Sequence, residues 1–155
     1  MSQSAPLVIG LKWLDSQMAQ DLSLPAYETS GSVGMDVCAA VNADIAIEPG
    51  HIEVIPTGFA VAIPAGFEIQ VRPRSGLAIN HGIAIVNAPG TIDADFRGEV
   101  KIGLINLGNH PYWIRRGDRI AQLVVAPVVR AAFNVIGELD DTDRGSGGFG
   151  HTGVR

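Results

Sequence analysis

Nineteen glycines and nine prolines punctuate this 155-residue chain at intervals of roughly ten residues or fewer, leaving little room for a long helix. Between the breaks, apolar and polar residues alternate. Phe67, Ile69 and Val71 face one way while Glu68, Gln70 and Arg72 face the other, and Val100, Ile102 and Leu104 repeat the pattern. A period of two marks half-buried strands. Further strands are expected over 8–14, 35–40, 52–55, 59–63, 112–114 and 119–129, a series of short elements of the kind found in sandwiches, jelly rolls and small barrels. The segment 76–81 has room for one or two helical turns. One all-β domain over 1–136 is therefore expected, since a chain of this length buries most of what its unfolded form exposes.

From Gly137 onward the composition changes. Four acidic residues precede Arg144, and five glycines fall among the nine residues 145–153. Each glycine gives up more backbone entropy on ordering than any other residue, so 137–155 reads as a flexible tail. Arg144 and Phe149 set it apart from a plain linker. A guanidinium can grip a phosphate, a flat ring can stack on a base, and glycines let the chain wrap closely, which together suit a lid.

Charge and chemistry exclude several classes. A net charge of −5 opposes broad nucleic-acid binding, which needs a basic face to release counterions. The apolar run 121–129 is too short to span a bilayer, and the first residues lack the basic and apolar regions of a secretory signal, so a cytoplasmic protein is expected. Cys38 has no second cysteine to bridge, and His51, His81, His110 and His151 are too scattered for a zinc site. Any metal should be a hard, oxygen-bound one.

Five segments remain: Gly31-Ser-Val-Gly-Met-Asp36, Arg74-Ser-Gly-Leu-Ala78, Gly90-Thr-Ile-Asp-Ala-Asp-Phe-Arg-Gly-Glu99, the plainer Gly117-Asp-Arg-Ile-Ala-Gln122, and Arg144-Gly-Ser-Gly-Gly-Phe-Gly150. Glycine beside aspartate between strands is by itself an ordinary turn. Arg74, Ser75 and Gly76, however, place a guanidinium, a hydroxyl and unhindered N–H groups where they can converge on phosphate oxygens, although Ser75 as a helix N-cap explains the same residues. Asp93 and Asp95 would share a face if locally extended, and a carboxylate ionised at neutral pH can hold and deprotonate a water.

Taken together and in this order, the five segments resemble the motifs of the trimeric dUTPases from Gly31 to Gly153. The resemblance implies a jelly-roll-type β-barrel with one short helix, assembled as a homotrimer with shared active sites. The implied reaction is hydrolysis of dUTP to dUMP and pyrophosphate by water attack at the α-phosphorus, which limits uracil incorporation into DNA and supplies dUMP for thymidylate synthesis. By position, Asp93 resembles the catalytic aspartate, and Asn87, Gly90, Thr91 and Ile92 the hairpin that reads uracil. Phe96 stands where the family often has a tyrosine against the sugar. Arg74, Ser75, Gly76 and Gln122 resemble phosphate contacts, Arg144 and Gly148 belong to the closing tail, and Phe149 resembles the ring that covers uracil. Asp36 matches an aspartate associated with Mg2+ through water, the ion itself being held mainly by the substrate phosphates. The dCTP deaminases resemble the same fold but use a glutamate, which Asp93 and the full tail disfavour.

Overall fold

In the structure, a computed structural model describing residues 6–148, the alternating segments form ten strands and one short helix. In chain order these are β1 (Gly10–Trp13), β2 (Met35–Cys38), β3 (Ile45–Ile47), β4 (Ile52–Ala62), β5 (Phe67–Arg72), α1 (Ser75–His81), β6 (Ile83–Ile85), β7 (Gly90–Ile92), β8 (Glu99–Asn106), β9 (Tyr112–Ile114) and β10 (Arg119–Pro127). They make two four-stranded sheets, ordered β1-β4-β8-β6 and β2-β10-β5-β7, and a ribbon of β3 with β9. Every strand pair is antiparallel. The jelly-roll-like, all-β arrangement matches expectation, with the sheets left open rather than closed edge to edge into a barrel. No described helix is long and apolar enough to cross a membrane.

The core is the meeting of the sheets' inner faces. Val100, Ile102 and Leu104 of β8, Ile55, Phe59 and Val61 of β4, Ile69 and Val71 of β5 and Leu123 of β10 are all buried in one cluster. Full burial of a side chain of this size is worth about 1.5–3 kcal/mol, so the period-two pattern fixes the register: a slip by one residue would turn these groups to water.

The structure revises one boundary substantially. The expected strands 52–55 and 59–63 form a single strand, β4, because Pro56, Thr57 and Gly58 make a bulge rather than a break. The register with β8 shifts between Pro56 and Ala60. Gly58 sits at φ +75°, and its N–H meets Glu99 Oε1 at 3.1 Å, while Thr57 Oγ1 donates to the Val100 carbonyl at 2.6 Å. The carbonyls of the bulge are met from other segments, Pro56 accepting from the Ala40 N–H at 2.8 Å and Gly58 from the Leu14 N–H at 2.9 Å. The short strands β3, β6 and β7 gave too few alternations to be seen in the sequence.

One buried polar residue pins the far end of the molecule. Asn106 is 0% exposed, and its Nδ2 donates to the carbonyls of Ile47 (2.7 Å) and His110 (2.8 Å), while its Oδ1 accepts from the Gly108 N–H at 2.9 Å. Asn106→Leu would leave all three partners without the amide, the buried Ile47 carbonyl most severely. We expect a loss of about 3 kcal/mol, read as a lower urea midpoint at fixed protein concentration; a loss under about 1 kcal/mol would show that water replaces the amide.

Candidate active site

Two groups of functional side chains lie on the sheet β2-β10-β5-β7, and the strand register keeps them apart. The first surrounds the end of β5. Gln122 of β10 stands opposite Asp36 of β2 on one side and Arg72 of β5 on the other. Its Nε2 donates to the Pro73 carbonyl at 3.0 Å, and its side chain lies so close over Gly34 that a methyl group there would overlap the amide. A glycine in the first segment is therefore required by packing. Arg74 leaves the strand just ahead of α1, with Ser75 and Gly76 exposed at the start of the helix. Ser75 is the first helical residue; the N-cap is Arg74, whose extended backbone has no side-chain cap, so the alternative role for Ser75 falls away.

Asp36 is the electrostatic centre of this end. Its side chain is 15% exposed, its Oδ1 accepts from Arg74 Nε at 3.1 Å, and its Oδ2 accepts from Arg119 Nη1 at 3.0 Å. Arg119 also pairs with Glu28 at 3.1 Å. Neither Arg119 nor Glu28 was singled out in the sequence; the available signal was that Arg119 lies three residues before Gln122 in the plainest segment. Cys38 borders the cluster, where burial pushes its thiol up against the opposing pull of Arg119, so it stays protonated at neutral pH and is a poor nucleophile.

The second group lies at the other end of β5. Ile92 pairs with Ile69, which sets Asp93 level with Glu68. Residues 93–98 then turn instead of extending: the Phe96 N–H donates to the Asp93 carbonyl at 3.1 Å, and Arg97 Nη1 donates to the carbonyls of Ala94 (2.7 Å) and Phe96 (2.8 Å). Asp93 and Asp95 are therefore not alternating residues of one extended face. Both are exposed and line a cleft of about 920 Å³ with Glu68, Arg97 and Arg130. The Phe96 ring packs on Gly98. At the hairpin's other end Asn87 approaches Gly90, which pairs with Val71, and Thr91 stands exposed opposite Gln70.

Gln122 is level with Arg72, four residues along β5 from Glu68, which offsets it from Asp93 by about 13 Å along the strand direction; Arg74 lies beyond the same end of β5. A proton donor or acceptor works at about 3 Å. Within one chain the two groups are therefore separate clusters. The described part of the tail joins neither: Arg144 Nε donates to the Gly147 carbonyl at 2.9 Å, within its own turn, and Gly148 is exposed. Phe149 lies outside the described residues. Among the described residues, no three carboxylate, histidine or cysteine side chains group to hold a metal.

A family model described as dUTPase matches residues 20–153. The chain belongs to the dUTPase family. It is similar to the deoxyuridine 5'-triphosphate nucleotidohydrolase of Desulfotalea psychrophila, 66% identical over 142 residues that cover 92% of this chain and 95% of that one. Among solved structures it resembles the Staphylococcus bacteriophage 80alpha dUTPase with dUpNHpp, at a TM-score of 0.83 and 26% identity, covering 95% and 99% of the two chains. A mutant of the dUTPase from phage phi11 of S. aureus, described as coordinating a structural Mg(II) ion, shares the fold at a TM-score of 0.73 and 23% identity over 84% and 97%.

Within this dUTPase-family chain the Arg97 latch is what gives the Asp93 turn a fixed shape. Arg97→Ala removes two charge-assisted hydrogen bonds to main-chain carbonyls from an exposed loop, so global stability should stay within about 0.5 kcal/mol. Turnover should fall about 10- to 100-fold, because small misplacements of a reacting group are costly. Pyrophosphate release and urea unfolding on the same preparation check both halves.

Proposed function

We infer that the protein hydrolyses dUTP to dUMP and pyrophosphate in active sites built between subunits of a homotrimer. The observation that supports this most is the family match, which takes in Asp36, Arg74, Asp93, Gln122 and Arg144 together, while the fold leaves them as separate clusters on one chain. A second subunit brings its phosphate end to the first subunit's Asp93. The segment from Val128 supports assembly as well: Val129, Phe133, Val135 and Leu139 are almost fully exposed, an apolar arm uncovered by its own subunit.

In this reading Asp93 holds a water in line with the α-phosphorus and accepts its proton. The water oxygen bonds to that phosphorus as the bond to the α,β-bridging oxygen breaks, and pyrophosphate departs with the electron pair. Arg74, the Ser75 hydroxyl, the Gly76 N–H and Gln122 meet the phosphate charge, so the protein mainly positions and neutralises. Asn87 with the Gly90–Ile92 strand reads uracil, and Phe96 packs against the sugar where a 2'-hydroxyl would stand. Arg144 and Gly148 close with the tail, Phe149 covering the base.

Magnesium fits as an ion carried by the triphosphate, where it offsets phosphate charge. Asp36 is the residue placed to accept from one of its waters: both oxygens are engaged by guanidinium groups, but each retains a lone pair. A cytoplasmic location agrees with substrate supply.

Asp93→Asn should keep nucleotide binding and lose about 100- to 10,000-fold in kcat, the usual contribution of a general base; full turnover in that variant would sink the assignment. Subunit sharing has its own test. Asp93→Asn and Arg74→Ala chains, each impaired alone, should regain about a quarter of wild-type activity when refolded together, since random mixing gives that fraction of sites with both groups intact. No recovery in mixed trimers would place each site within one chain.

A further inference from the structure

The side chains around Asp36 form a closed loop of hydrogen bonds that runs through Arg119. Arg74 Nε donates to Asp36 Oδ1 at 3.1 Å, Arg119 Nη1 donates to Asp36 Oδ2 at 3.0 Å, and Arg74 Nη1 donates to the main-chain carbonyl of Arg119 at 3.1 Å. Two of the three nitrogens of Arg74 are thus committed, one to the carboxylate that Arg119 shares and one to Arg119 itself. Only Nη2 is left without a protein partner among the described residues. Glu28, 3.1 Å from Arg119 Nη1, holds the second guanidinium from the outside.

The backbone is shaped for this. The register of β10 against β2 shifts between Arg119 and Ala121, so that Arg119, paired with Cys38, reaches back to Asp36. Bulges re-aim side chains in this way. The consequence for Arg74 follows from the geometry of the pair. A guanidinium facing a carboxylate with both oxygens open settles into a two-pronged contact that engages Nε and Nη2 or both terminal nitrogens. Arg119 engages Oδ2 and competes for that contact.

We propose that Arg119 is a positioning residue: by sharing Asp36 and offering its carbonyl, it holds Arg74 in the one-pronged pairing that leaves Nη2 turned to a phosphate oxygen. This rests on the reading of Arg74 as a phosphate contact. Without Arg119, Asp36 draws Arg74 into a two-pronged pair and withdraws it from the ligand.

The test is a double-mutant cycle read by titration of the trimer with dUpNHpp. Arg119→Ala should raise Kd about tenfold in the wild-type background, the loss of one charge-assisted contact, and by no more than about twofold in the Arg74→Ala background. An equal loss in both backgrounds means that Arg119 touches the ligand itself, and no loss in the wild-type background means that Arg74 orients without it; either overturns the proposal. Glu28→Gln, at the exposed rim, should shift Kd in the same direction by a smaller factor and with the same dependence on Arg74. It decides the matter if Arg119→Ala does not fold. Wild-type protein that binds no dUpNHpp would overturn the functional reading and this one with it, whereas binding with an additive cycle would overturn this one alone.

Discussion

The antiparallel register of β5, hydrogen-bonded to β10 on one side and β7 on the other, fixes the distance between the two ends of the chemistry. An extended backbone cannot shorten, so the main-chain positions at its two ends stay a fixed distance apart. The same pairing that buries Ile69, Val71 and Leu123 therefore holds the two clusters apart within one chain.

The two clusters solve different electrostatic problems. Around Asp36, Arg74 and Arg119 are balanced by Asp36 and Glu28, so four charges in partial contact with water form a neutral set. Exposed ion pairs of this kind add little stability because solvent screens them. Their value lies in orientation, since a flexible arginine held at two nitrogens loses less freedom when it binds. At the other end, Arg97 does for the main chain what Asp36 does for a side chain: it satisfies two carbonyls of a turn that no strand covers. Asp93 is left exposed, free to meet water.

Much of this was legible in the sequence, for reasons that also explain what was not. The alternation in 67–72 and 100–104 announced β5 and β8 because one face of each strand is buried and the other is not. Pro56 and Gly58 looked like a strand end because their backbone preferences are those of a turn; only the partners Val100 and Glu99, more than forty residues away, turn the break into a bulge. Asp93, Arg74 and Gln122 were legible through motif order, whereas Arg119 and Glu28 were not. Their significance lies in a shared contact with Asp36 across three separate segments, and a chain read in one dimension carries no such proximity.

The exposed stretch beyond Pro127 brings these constraints together. A monomer that displayed Val129, Phe133, Val135 and Leu139 to water would carry an apolar segment with no cover of its own. On the proposed assembly, covering that arm and joining the clusters are one event. A lone chain then has neither a protected arm nor a functioning site. On the same proposal, the glycine-rich tail, whose Arg144 donates to the Gly147 carbonyl within its own turn, would lose backbone entropy on closing, so closure would draw on contacts with the bound nucleotide. In that proposal closure is tied to substrate.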